Sequence, residues 1–170
     1  MAEQLKTQLK VDYQIEPILT AWPDIKPLIE AHWEEVALNK DKIKLAINED
    51  YYRKREADGS LVMVTVRDPN ERSWYFDPGK LVGYCILLIM PHPHYKNDTM
   101  ALFDVYYVRP EYRKGRVGLN MFKFVEAKMR ERGVVKMIAG NKLHRDIGRL
   151  FEHLGWTEIE RTFSKYIGDE

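Results

Sequence analysis

The chain has 170 residues, which suits one globular domain with a real core, since 45% of its residues are hydrophobic and 12% aromatic. Its 27 basic and 26 acidic residues leave a net charge of +1, which gives no broad electrostatic footprint for nucleic acid or for an anionic membrane. A single cysteine, Cys85, excludes an internal disulfide and a thiolate metal cluster, and its place in an apolar run reads as a buried thiol in a reducing, cytoplasmic setting.

In chain order, residues 11–19 read as a strand. Pro23 then opens a helix with Ile25, Leu28, Ile29, Trp33 and Val36 on one face. A second helical pattern runs from Asp41 to Arg55 and stops at Asp58-Gly59. Leu61–Val66 is a strand, Asp68–Lys80 a polar loop, and Leu81–Met90 a strand apolar on both faces. Two prolines within Pro91–Asp98 predict a loop, and Met100–Val108 is the next strand. Residues 116–132 predict a helix with Val117, Met121, Phe122, Val125 and Met129 inward and Gly133 as its stop. Val134–Ala139, His144–Leu154 and Ile159–Ile167 follow as strand, helix and strand. This order predicts an α+β fold with a mixed sheet and helices on both faces.

The stretch Val108-Arg109-Pro110-Glu111-Tyr112-Arg113-Lys114-Gly115-Arg116-Val117-Gly118 joins a strand to a helix. Gly115 permits positive φ, Gly118 permits close approach, and a helix start offers unpartnered N–H groups aligned with the dipole. With Arg113, Lys114 and Arg116 around it, the turn is a site for a pyrophosphate. The bland alternative is a basic solvated turn.

Here the chain resembles the GNAT superfamily, whose pyrophosphate signature is Arg or Gln, two variable residues, Gly, one variable residue, then Gly or Ala. Val108, Pro110, Tyr112, Arg113 and Gly118 are in register with it, while Arg116 stands where the fourth motif position is usually glycine. Downstream, Leu150-Phe151-Glu152-His153-Leu154-Gly155-Trp156 is similar to the superfamily's Leu-Tyr-Glu-Lys-Leu-Gly-Phe segment. The resemblance covers residues 81–167. It implies a single domain over 1–170 with a central, mostly antiparallel sheet of about 6–7 strands, splayed in the middle and flanked by about four helices.

The resemblance further implies an acyl-CoA-dependent N-acyltransferase that takes acetyl-CoA as co-substrate. Lys114, Gly115, Arg116, Val117 and Gly118 would hold the pyrophosphate, with Arg113 beside them. Tyr106, Tyr107 and Val108 would pair with the pantetheine arm, and Asn141 would bond it or simply cap its own loop. Asp104, the one acid within Met100–Val108, is the candidate base, with a structural pair as its alternative. The superfamily's usual tyrosine acid is Phe151 here, so Tyr106, Tyr107 or Tyr112, or water, would supply that proton. His32 and Glu35 share a helix face, and His94 and Tyr95 sit in the loop before the Asp104 strand. Both features resemble members from tailed-phage genomes and extend the candidate acceptor site. His92 and His94 alone are too few ligands to predict a metal.

The sequence leaves three readings open: an active N-acyltransferase, a non-catalytic acyl-CoA-binding or interaction module, and a phosphate site for another nucleotide. The expected partners are an acyl-CoA and a small-molecule or protein amine, with no membrane and no long nucleic-acid surface. Dimers are frequent in the superfamily, so a homodimer is one expectation.

Overall fold

A computed structural model describes residues 9–72 and 77–168. The chain divides into two compact units, Met1–Gly140 and Asn141–Glu170. The first holds an antiparallel meander closed by one parallel strand, in the order β1 (Asp12–Ile15), β2 (Leu61–Asp68), β3 (Lys80–His92), β4 (Tyr95–Val108) and β5 (Val134–Ile138). The sheet therefore has five strands among the described residues, not six or seven. The predicted strand Ile159–Ile167 pairs with nothing there, and its apolar side chains Ile159, Phe163 and Ile167 are exposed. A strand-like run of residues is a local signal, whereas a strand needs a partner edge.

All eight residues of β2 are buried, because helices cover both faces of the sheet. One face carries α1 (Ile18–Val36) and α2 (Glu49–Ala57). Ile18, Ala21, Ile25 and Leu28 pack there with Leu61, Met63, Tyr84, Ile86 and Tyr107. The other face carries α3 (Val117–Glu131), whose buried stripe of Val117, Met121, Phe122, Val125 and Met129 matches the predicted one. Phe122 packs its ring on Phe103 and Tyr106 at centroid separations of 5.6 and 5.3 Å. Successive side chains of β4 point to opposite faces, so Tyr106 looks toward α3 and Tyr107 toward α1.

Several boundaries differ from the sequence reading for identifiable reasons. β1 stops at Ile15 and α1 begins at Ile18, with Pro23 and Pro27 inside the helix rather than at its start. The Ile18 N–H donates to the Glu56 carboxylate at 2.7 Å, so a residue of α2 caps α1. The second helix begins at Glu49, capped by the Asn48 side chain, and residues 41–48 are turn and irregular chain. Pro91 lies within β3, opposite Thr99, and only residues 93 and 94 form the turn. β2 pairs no further than Leu61↔Leu88, so beyond that point one side of β3 is an edge, where a proline removes no ladder bond.

The second unit contains a 3₁₀ turn, Leu143–Arg145, and α4 (Gly148–His153), a shorter helix than the one predicted over His144–Leu154. No helix among the described residues is long and apolar enough to cross a membrane.

Candidate active site

The strand-to-helix turn after β4 is pinned from several sides. Arg109 N–H donates to the Val82 carbonyl at 2.8 Å, and its Nε donates to the Leu81 carbonyl at 3.0 Å. The Tyr112 hydroxyl donates to Asp68 at 2.7 Å and lies 3.0 Å from Glu71, at the end of β2. Tyr13 of β1 donates to the Val117 carbonyl at 3.1 Å, tying the edge strand to the first turn of α3. Gly115 adopts φ +99°, a conformation that a side chain would strain.

Within this frame the amides of Lys114, Gly115, Arg116, Val117 and Gly118 donate to no acceptor among the described residues; the first backbone bond of α3 is Asn120 N–H to Arg116 O. They stand at the positive end of a 15-residue helix, with Lys114 and Arg116 exposed beside them. A Cβ at Gly118 would meet no protein atom within 4 Å, so the glycine keeps open the space over the amides. A diphosphate fits this cradle.

Beside it the sheet opens. β4 and β5 pair from Thr99↔Val134 to Leu102↔Ile138, and β5 then ends. From Phe103 to Val108 that side of β4 has no strand partner among the described residues. The Arg109-to-Val82 bond fixes the alternation of the β3–β4 ladder, so the N–H groups of Tyr106 and Val108 face away from β3, into the opening. The Tyr106 hydroxyl reaches across to the Gly140 carbonyl at 2.6 Å. A thioester arm running as an added strand would find two donors there.

Two side-chain clusters flank this edge on the α1 face. His32 and Glu35 of α1 meet Tyr84, Tyr107 and Arg113. The His32 Nδ1 is 3.2 Å from the Tyr84 hydroxyl, and its ring stacks on Tyr107 with centroids 5.0 Å apart. Glu35 accepts two bonds from Arg113, at 2.7 and 2.6 Å. In the second cluster the Tyr52 hydroxyl of α2 donates to Asp104 at 2.9 Å. Asp104 is the extra residue of a bulge, since Ile86 pairs with Val105 and Leu87 with Phe103. The bulge turns this carboxylate to an exposed position instead of leaving it inside the strand.

Burial raises the Tyr107 hydroxyl above its ordinary range, against the opposing pull of the Arg113 cation. Burial likewise raises Tyr52, reinforced by the Asp104 charge, and raises Tyr84 and Tyr112. These hydroxyls are therefore protonated at neutral pH, so they can donate a hydrogen bond and do not serve as bases. Tyr112 is already committed to Asp68 and Glu71, which leaves Tyr107 as the better-placed candidate acid. Cys85 is fully buried, and burial drives its thiol up, in keeping with an inert core residue.

Not every predicted site residue joins these clusters. His94 lies in the β3–β4 turn and Tyr95 opens β4, its ring 4.8 Å from that of His92 at the end of β3. Tyr95 pairs with His92 and Phe103 with Leu87 on β3, so at ~3.3 Å per residue roughly 17 Å separates that turn from the carboxylate at Asp104. His94 is thus separated from His32, Glu35 and Asp104 rather than grouped with them. Asn141 belongs to the second unit, where its side chain bonds Asp146 and accepts from the Ile147 N–H at 3.1 Å, the loop-capping alternative. Phe151 is buried there against Trp156. Sequence reading missed Tyr84; a phenol in the otherwise apolar run Leu81–Met90 was the available signal. No group of three or more His, Cys, Asp or Glu poised for a metal occurs among the described residues.

The sequence profile of the Acetyltransferase (GNAT) family matches residues 25–156. The chain belongs to this family. No curated protein sequence matches it. Among solved structures, it is similar in fold to a ribosomal-protein-alanine N-acetyltransferase from Brucella melitensis biovar Abortus 2308, at 18% identity and TM-score 0.64, covering 95% of this chain and 99% of that one. An aminoglycoside acetyltransferase from an uncultured soil metagenomic sample, in complex with sisomicin, aligns at 14% identity and TM-score 0.67, over 98% and 100% of the two chains. A predicted acetyltransferase with acetyl-CoA from Clostridium acetobutylicum aligns at 14% identity and TM-score 0.62, over 92% and 96%. At such identities the likeness establishes the GNAT fold, and the site must be argued from its own residues.

Proposed function

We propose that this GNAT-family chain is an acyl-CoA-dependent N-acyltransferase that passes an acetyl group from acetyl-CoA directly to an amine. The observation that carries the reading is the set of unengaged amides at Lys114–Gly118, next to an edge of β4 left open past Leu102. The first suits a diphosphate and the second an extended thioester arm.

Bound acetyl-CoA supplies the reactive thioester. The N–H groups of Tyr106 and Val108 are assigned to its arm and carbonyl, where a fixed donor stabilises developing negative charge. Asp104, held by Tyr52, is assigned to take the proton from the attacking amine. As the carbon–sulfur bond breaks, Tyr107 is assigned to return a proton to the departing thiolate, the role Phe151 has no hydroxyl to fill. Of the other predicted catalytic residues, His32 packs against the acid and Glu35 accepts two bonds from Arg113.

The test is a thiol-release screen over amine classes, with mass spectrometry of the purified protein for co-purified CoA. Asp104→Asn is expected to lower the rate by about 10²-fold or more while acetyl-CoA still binds. An unchanged rate removes Asp104 from the mechanism. The second reading, a non-catalytic acyl-CoA-binding module, is favoured by Phe151 and predicts CoA in the mass spectrum with no release of the CoA thiol in the presence of any amine.

A further inference from the structure

Arg113 opens the phosphate-binding signature, yet all three of its guanidinium nitrogens are already bonded within the protein. Two donate to the Glu35 oxygens at 2.7 and 2.6 Å, and Nε donates to the Val108 carbonyl at 2.8 Å. The plane lies over the Tyr107 ring, 5.2 Å from its centroid. A guanidinium in bidentate contact with a carboxylate has its charge neutralised and its fork filled. The exposed cations of the turn without a carboxylate partner among the described residues are Lys114 and Arg116 instead.

The bond to Val108 matters because of where that residue sits. Its N–H and C=O face the same side of β4, toward the opening. With the carbonyl capped by Arg113, the N–H is the polar group left to a partner at the end of the strand. That polarity favours an oxygen acceptor such as a thioester carbonyl.

We propose that Arg113 is a positioning residue rather than a phosphate ligand: anchored by Glu35, it caps the Val108 carbonyl and aims the Val108 N–H into the opening, so that Glu35 serves as its anchor and not as a base. This rests on the acyltransferase reading for the identity of what enters the opening. The clamp also joins α1 to the donor turn, which would couple acceptor-side packing to the donor site.

The experiment compares Arg113→Gln, Arg113→Lys and Glu35→Gln in the full chain, with acetyl-CoA as the probe. Affinity is read by calorimetry, the Val108 amide by ¹⁵N-resolved NMR, and turnover by thiol release. Lysine keeps the charge but loses the planar fork, so it separates the two roles. The clamp predicts acetyl-CoA affinity within about threefold of wild type in all three variants. It also predicts loss of the Val108 shift on acetyl-CoA addition, and kcat lowered by about tenfold or more, with lysine no better than glutamine. The pair is partly solvated, with side chains 41% and 18% exposed, so the variants should melt close to wild type. Lysine matching wild type while glutamine loses tenfold or more in affinity makes Arg113 a phosphate ligand and overturns the proposal. An unaltered Val108 shift, or a pH–rate limb that vanishes only in Glu35→Gln, overturns it as well. If wild-type protein binds no acetyl-CoA, the acyltransferase reading falls first and this proposal falls with it.

Discussion

Gly118→Glu should weaken acetyl-CoA binding by about 100-fold or more and leave the fold intact or slightly firmer. The two effects have opposite signs for separate reasons. Gly118 lies in the first turn of α3, and no protein atom stands within 4 Å of the Cβ it would gain. Replacing glycine inside a helix recovers up to ~1 kcal/mol of propensity. A carboxylate in the first turn adds roughly 0.3–1 kcal/mol through the helix dipole. The same carboxylate would occupy the space over the amides of Lys114–Gly118 and repel a diphosphate there. Losing two charge-assisted bonds at ~1.5–3 kcal/mol each accounts for the fall in affinity. Calorimetry with acetyl-CoA and a thermal melt, run on the same preparation, check both halves. Binding that survives would mean the phosphates lie elsewhere. A melting midpoint that drops would mean the open space around Gly118 has been misjudged.

The parts of this site that were legible in the sequence are those built by neighbours along the chain. Pro110, Gly115 and Gly118 shape a turn through their own backbone preferences, and the stripe from Val117 to Met129 needs only the helical period. The pairs that set the chemistry were not legible, because they join distant segments. Glu35 and Arg113 are 78 residues apart in sequence, and Tyr52 and Asp104 are 52 apart. Sequence placed Asp104 in an apolar strand, as a base or as half of a structural pair; the bulge that turns it outward depends on the register against Ile86 and Leu87. Tertiary context also reversed two local rules. Pro91 lies in a strand because β2 pairs no further than Leu88, and Ile159–Ile167, predicted as a strand, forms no ladder because no edge pairs with it among the described residues. His94 was grouped with His32 because loops commonly flank clefts, but a 14-residue strand carries that turn away from the site.

Arg67→Met is the substitution expected to damage the fold most. Arg67 is 1% exposed on β2 and Glu16 6% exposed at the start of α1. The guanidinium donates to both Glu16 oxygens, at 3.0 and 2.9 Å, to Asp24 at 2.9 Å and to the Gly79 carbonyl at 2.8 Å. Thr65 adds a bond to Glu16 at 2.8 Å. Removing Arg67 leaves Asp24 in water but strands the Glu16 charge in the core, at a cost of about 3–5 kcal/mol. That corresponds to a melting point lower by roughly 6–20 °C in a chain of this size. Burial alone would raise the Glu16 carboxyl, but the bonds from Arg67 and Thr65 outweigh it and hold the group below its ordinary value of 4.5. The stabilisation linked to Glu16 is therefore present above that pH and is lost as pH falls through the lower folded value. In Arg67→Met the sign reverses: a buried, unpaired carboxyl titrates high and sheds its penalty by taking a proton. The gap between wild type and variant should consequently narrow as pH is lowered from 7 toward 4, and Glu16→Leu in the Arg67→Met background should recover much of the loss at pH 7. A gap that stays constant with pH would show that lost packing, not the stranded charge, destabilises the variant.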